Sequence, residues 1–302
     1  MKNIVLYPFW NSKEKKLRAF WITIIAFIVA TLLQLPHQFF VSPHIDPIIK
    51  SVSSPLWIML TGMLTVFLST KYLAKLPIKS LGLNFNLKWF KDFAIGVFLA
   101  ISFVSLIFYI MYSNNWIEIK GSYLKISIDE YSFSTIIILQ VIKNFFVATS
   151  EELFYRGFLI LVLTKAITDK YFTKNQAVLI VIIISSIAFG YGHAGNPNIT
   201  TFGIINIALL GAIEGVSYWL TGRLGFAIGF HMFWNIFQEN VFGMPNSGIR
   251  SKASFLKMES IEEFDFWTGG NFGIEGGILS TLVFLVGILA LFLIYKKSAK
   301  AN

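Results

Sequence analysis

Runs of about twenty predominantly apolar residues recur from one end of this chain to the other, and no other feature restricts its fold so tightly. Wound as an α-helix, such a run matches the hydrocarbon thickness of a bilayer. Eight are read here, at roughly 17–35, 55–74, 90–112, 134–165, 177–192, 201–221, 225–242 and 277–295. In a membrane each backbone N–H and C=O must find its partner within the protein, so runs of this kind span as helices. Composition agrees: 55% of the residues are hydrophobic and 14% charged, against about 25% charged in an ordinary soluble domain. Disorder, a coiled coil and a water-soluble globule are excluded. The expected fold class is an all-α integral membrane protein, a bundle of about eight transmembrane helices.

The first run follows Lys13, Lys15, Lys16 and Arg18, like the start of a signal peptide. Its apolar stretch is too long for one and no small-x-small cleavage site follows, so it is expected to stay as an anchor. The net charge of +9 would raise nucleic acid as a partner in a soluble protein. Here the basic residues sit at the ends of the apolar runs, so membrane lipid is the expected partner and nucleic acid is not. Seventeen Lys and Arg fall on one side of the predicted topology: five before the first span, five at 71–91, three at 165–174, Arg223 and three in the tail. Six fall on the other: Lys50, Lys120, Lys125, Arg250, Lys252 and Lys257. That bias predicts a multi-pass protein of the cell membrane with both termini in the cytoplasm. With no cysteine, a disulfide framework, a thiolate metal site and a cysteine nucleophile are all ruled out. No internal repeat or linker divides the chain, so one integral-membrane domain over 1–302 is expected. The connection 243–274, with Glu259, Glu262, Glu263 and Asp265, reads as a solvated loop.

Ionisable groups inside apolar spans are costly and mark either a functional site or a satisfied internal pair. Four acids qualify, Glu151, Glu152, Glu214 and Glu239, with His193 and His231 at or inside spans; His37 and His44 fall in the first external loop. Glu152 and Arg156 stand i, i+4 and are expected to pair on one helix face. Glu151 is turned ~100° away with no cation at i±3 or i±4, and an unpartnered buried carboxylate suits a general base. Phe189 and His193 are i, i+4 at the end of the fifth span, where a lone His acts as a cap or as a catalytic group. His231 and Asn235 are again i, i+4; they can clamp an oxyanion or tie helices together. Taken together, a carboxylate, two imidazoles and an amide suit hydrolysis of a peptide bond by activated water. Neither a Gly-x-Ser-x-Gly elbow nor a His-Glu-x-x-His zinc motif occurs.

These motifs, Glu151-Glu152-x-x-x-Arg156, Phe189-x-x-x-His193 and His231-x-x-x-Asn235, resemble in kind and order those of the CAAX prenyl endopeptidase and bacteriocin-processing (CPBP, Abi) intramembrane proteases. The resemblance covers about 140–245 and extends to Thr221-Gly222-Arg223-Leu224-Gly225. It implies a helical membrane protease with a polar cavity inside the bundle. By that resemblance Glu151 activates water with help from His193, His231 and Asn235 form the oxyanion hole, and Glu152, Arg156 and Phe189 support the site. Glu214 is a possible additional member. The family has been described both as metalloproteases and as glutamate-dependent, metal-free enzymes. No cofactor is expected, and zinc on Glu151, His193 and His231 is the minority alternative. The implied substrate is a membrane-associated peptide or protein, and the family subgroup suggests a bacterial source. A non-catalytic membrane partner or bacteriocin-immunity protein of the same fold is the alternative, and a transporter comes last because no inverted repeat is found. One difficulty accompanies the reading. Counted from the span ends, His193 lies ~24 Å along the fifth span but His231 only about 9 Å into the seventh.

Overall fold

The computed structural model describes residues 9–295 except 13, 123, 125–130, 169–171 and 252. Among the described residues, seven helices are long and apolar enough to cross a membrane: α1 (Ala19–His44), α2 (Pro47–Leu73), α3 (Leu87–Ser113), α4 (Phe133–Ile167), α5 (Lys174–Gly192), α6 (Thr201–Thr221) and, at the C-terminal end, α8 (Ile278–Tyr295). Between α6 and α8 the chain forms α7, residues 225–241, an α-helix that passes into π-helix after Asn235. The chain is thus a multi-pass helical membrane protein. Lys2, Lys13, Lys125, Lys170, Lys252, Lys296, Lys297 and Lys300 of the charge count lie outside the described residues.

Local chemistry sets the helix ends. Asn86 caps α3 by accepting from Trp89 N at 3.0 Å, Ser132 caps α4, Thr173 and Gln176 form a capping box on α5, and Thr200 caps α6. Each supplies an acceptor to otherwise unpaired first-turn amides. Two ends depart from expectation. Helix α1 continues through Pro36 by widening into a π-turn over His37–Val41, so His37 is buried within the helix rather than placed in a loop. Helix α2 starts at Pro47, where the Asp46 side chain accepts from Ile48 N and Ile49 N, eight residues before the expected start at 55, and Pro55 lies inside the helix.

Helix α7 is the axis of the bundle. Ten of the eleven residues of its α-helical part are buried, Phe233 being the exception. It packs most closely on α3, and also on α4 and α6. Three glycines permit this: a Cβ on Gly225 would press on the Trp89 carbonyl, one on Gly229 would stand 2.5 Å from the Phe93 carbonyl, and one on Gly96 would press on that of Phe226. Gly225 and Gly229 form a Gly-x-x-x-Gly pair, the small-residue face that lets membrane helices approach backbone to backbone. A helix so enclosed can carry His231 and Asn235 without exposing them to lipid.

At the lysine-rich end of the bundle, Arg223 Nε meets Asp92 Oδ2 at 2.5 Å, and Tyr295 OH donates to Asp92 Oδ1 at 3.0 Å. This ties α3, the α6–α7 turn and α8 together. Asp92 is a buried acid inside an apolar run that the sequence reading passed over. The opposite end is not the simple loop expected at 243–274. Strand β4 (Lys257–Ser260) pairs antiparallel with β3 (Ile117–Gly121), while Met258, Phe272 and Ile274 are buried beneath. Glu259, Glu262 and Glu263 remain exposed. A second small sheet, β1 (Trp10–Asn11) with β2 (Lys16–Leu17), precedes α1.

Candidate active site

The first acidic motif straddles a change of helix type. Helix α4 is α-helical through Glu152 and π-helical over Leu153–Ile160, and α7 changes likewise directly after Asn235. Such widened turns lose regular i→i−4 bonding and recur at functional sites. Here they bracket the two motifs that face each other.

Glu152, Arg156 and Glu214 are wholly buried. Arg156 Nε lies 3.1 Å from Glu152 Oε2, and Nη2 donates to Glu214 Oε2 at 2.5 Å. The expected i, i+4 pair is therefore present, and Glu214 of α6 takes the other side of the same guanidinium. Helix α6 comes close enough because residue 211 is glycine: a Cβ there would stand 2.9 Å from Arg156 Nη2. The face of the guanidinium lies 4.1 Å from the centre of the Phe189 ring, a desolvated cation–π contact. The other oxygen of Glu152, Oε1, accepts from His231 Nδ1 at 2.9 Å, and Glu214 Oε1 is 3.8 Å from the same nitrogen. One buried polar knot thus joins α4, α6 and α7. Taken without its partners, any one of these charges would be expensive to bury.

With Nδ1 committed to Glu152, His231 turns Nε2 toward Glu151, whose Oε2 is 3.9 Å away. Among the described residues no Lys or Arg pairs with Glu151, as its spacing predicted, and it is partly open, with 30% of its side chain exposed. It lines a cavity of about 420 Å³ together with His193, His231 and Asn235. The four side chains singled out by the sequence therefore share one hollow. His193 is the residue that ends α5; its Nδ1 bonds to Phe189 O at 2.9 Å. Phe189 is the common wall, edge-to-face with His193 at 5.0 Å and with His231 at 6.0 Å.

The difference in depth between the imidazoles disappears because the helices start at different levels. Gly215 packs against Ile182 and Ile160, so Ile182, not Lys174, is level with the body of α4; Leu224 packs beside Gly157, one turn higher. Measured from the Ile160 level, His193 and His231 both stand roughly 15 Å along the bundle. The first eight residues of α5 lie below that level, alongside the last part of α4.

The cavity contains groups that spacing did not reveal. Lys143 Nζ bonds to both oxygens of Glu239, at 2.9 and 3.0 Å, joining α4 to the π-turn of α7. Glu275, between the 243–274 segment and α8, is 2% exposed and lines the hollow. Its Oε2 accepts from both the backbone N and the hydroxyl of Ser247, each at 2.8 Å. Burial pushes its carboxyl above the ordinary range, against the lowering pull of Ser247 and His193. Nothing in the local pattern of Gly-Ile-Glu-Gly-Gly distinguishes Glu275 from a loop acid.

Among the described residues, the acid and imidazole donors that come mutually within 4.8 Å are Glu152, Glu214 and His231, a different set from the Glu151, His193 and His231 considered for zinc. The Arg156 guanidinium already stands between those two carboxylates, so a cation there would have to displace it. The donor arrangement does not fit a metal at that knot.

Residues 132–237 match the family described as Rce1-like, type II CAAX prenyl endopeptidase. The match begins at the Ser132 cap of α4, ends just past Asn235, and contains all three motifs. No curated protein and no solved structure matches the chain.

Proposed function

We propose that this chain, with its Rce1-like core at 132–237, is an intramembrane endopeptidase that hydrolyses a membrane-associated peptide or protein with activated water. The observation that carries the reading is the opening of Glu151, His193, His231 and Asn235 onto one cavity inside the bundle. Glu151 is the general base: among the described residues no Lys or Arg pairs with it, and it lines the hollow. His193, held at Nδ1 by the Phe189 carbonyl, presents Nε2 and helps to orient and deprotonate the water. Attack on the scissile carbonyl places negative charge on its oxygen, and His231 Nε2 with the Asn235 amide stabilises it. Two carboxylates and one guanidinium leave the buried knot one positive charge short, and an imidazolium at His231 balances it; that form carries the N–H an oxyanion needs. The proton held by Glu151 then passes to the leaving amine. Glu152, Arg156, Glu214 and Phe189 touch no substrate in this scheme and hold His231 in place.

The fitting substrate is a leader-bearing peptide, a pheromone or bacteriocin precursor, or a regulatory membrane protein of a bacterium. The test compares the membrane-fraction proteome of cells carrying wild-type, Glu151→Ala or His193→Ala protein. Loss of a general base lowers a rate by about 10²–10⁴-fold, so an uncleaved precursor should accumulate in both variants. If wild-type and variant cells hold the same processed species, the catalytic assignment is wrong, and a non-catalytic role of the fold replaces it.

A further inference from the structure

We infer that the cavity contains a cation subsite at Glu275, and that the substrate places a basic side chain or a free amine there, beside the bond positioned at Glu151. The subsite rests on the cavity alone; calling its occupant a peptide rests on the proposed function. Glu275 is a prepared group. Asn206, itself buried, donates to the backbone carbonyls of Glu275 and Gly277 at 2.8 and 2.9 Å, and Thr281 donates to Asn206 Oδ1 at 2.6 Å. The chain is thereby pinned at Glu275 itself and two residues beyond it. Ser247 takes up Oε2, no hydrogen bond to a described residue is found at Oε1, and the residue lines the hollow. A carboxylate serving only to staple the 247 segment would be expected to have both oxygens satisfied when so deeply buried.

The charge balance of the cavity points to the class of occupant. Among the described residues Lys143 is the only Lys or Arg lining it, and both of its contacts go to Glu239. Glu151 and Glu275 have no such cation, and the titratable groups facing Glu275 are His193 and His231. A cavity whose walls carry unneutralised carboxylate favours an incoming cation and disfavours an acidic one. A hollow of about 420 Å³ is small enough for one bound segment to meet Glu151 and Glu275 together. Only the ionised carboxylate attracts a cation. Because burial holds the Glu275 proton to higher pH than usual, selectivity for a cation should grow as pH rises through that range.

The test uses the full chain in phosphatidylcholine nanodiscs and three fluorescent peptides of one apolar sequence with Lys, Gln or Glu at the central position. Wild type should bind the Lys peptide about tenfold more tightly than the Gln peptide, and the Glu peptide least. In Glu275→Gln the side-chain carbonyl still accepts from Ser247, so the fold is kept, and the Lys preference should fall below about twofold. Ser247→Ala, which loosens the clamp but leaves the carboxylate, should retain it. Equal affinity for Lys and Gln peptides in wild type, or a preference unchanged in Glu275→Gln, overturns the subsite. Cleavage of the same peptides is scored separately. Lys selectivity without cleavage of any peptide keeps the subsite and removes the peptidase; cleavage without Lys selectivity does the reverse.

Discussion

Arg156 shows how much depends on one side chain whose partners come from other helices. It is wholly buried, yet its guanidinium is shared by Glu152 and Glu214 and covered by Phe189. Removing one partner of a buried pair leaves an uncompensated charge, at a cost of about 3–5 kcal/mol. Glu214→Ala should therefore lower the detergent-solubilised unfolding midpoint by several degrees, while Glu214→Gln, which preserves shape and an acceptor, should lower it less. Equal midpoints for all three proteins would show that Glu214 does not hold Arg156. Glu151 is the contrasting case. Its lack of a helical cation partner was legible from spacing, and the structure leaves it open to the cavity. The part played by Glu214 was not legible: it is 58 residues from Arg156 in sequence, and one-dimensional spacing carries no record of which helices become neighbours.

At the scale of the element, α7 determines whether the site can exist. Its Gly225 and Gly229 face the backbone of α3, and Gly96 returns the contact from the other side. Overpacking at such a crossing costs about 1–3 kcal/mol or more. Gly229→Val should reduce the yield of folded protein and lower its thermal midpoint, whereas Gly62→Val, at an open position with nothing within 4 Å, should not. A Gly229→Val protein as stable as wild type would mean that the helices do not meet there. Apolar runs located every helix of the bundle, because burial in lipid leaves a long compositional trace. Ends were less legible. The span expected from 55 begins at Pro47, and His37 lies in a helix that continues past proline through a π-turn. Apolarity alone also cannot separate a helix that faces lipid from one, like α7, that faces only protein.

For the whole molecule, the cavity lies toward one end of the bundle. His193, Asn196, Ser247 and Glu275 line it from the segments at that end, while Arg223, Asp92 and Tyr295 meet at the other. From the lysine bias we propose that the latter end faces the cytoplasm. The chain has no cysteine, so single cysteines report sidedness without background. Ile249→Cys, exposed at the rim of the cavity, should react with an impermeant thiol reagent in intact cells. Lys79→Cys should react only after permeabilisation. The opposite pattern would invert the topology and present the cavity to the cytoplasm.

The amino-acid sequence by itself determined that the chain is a bundle of apolar helices, that ionised groups gather in its second half, and that Glu151 lacks the helical partner Glu152 possesses. These properties follow from composition and from spacing along one helix, where 3.6 residues per turn makes neighbours computable. Only the tertiary structure decided that α5 starts below α7, so that two imidazoles at unequal helical depths meet on Phe189. It alone decided that Glu214 completes the Arg156 knot, and that Glu275 reaches the cavity from beyond the motifs. Those facts depend on how far one helix slides along another, a translation set by glycine contacts and loop anchoring between distant segments.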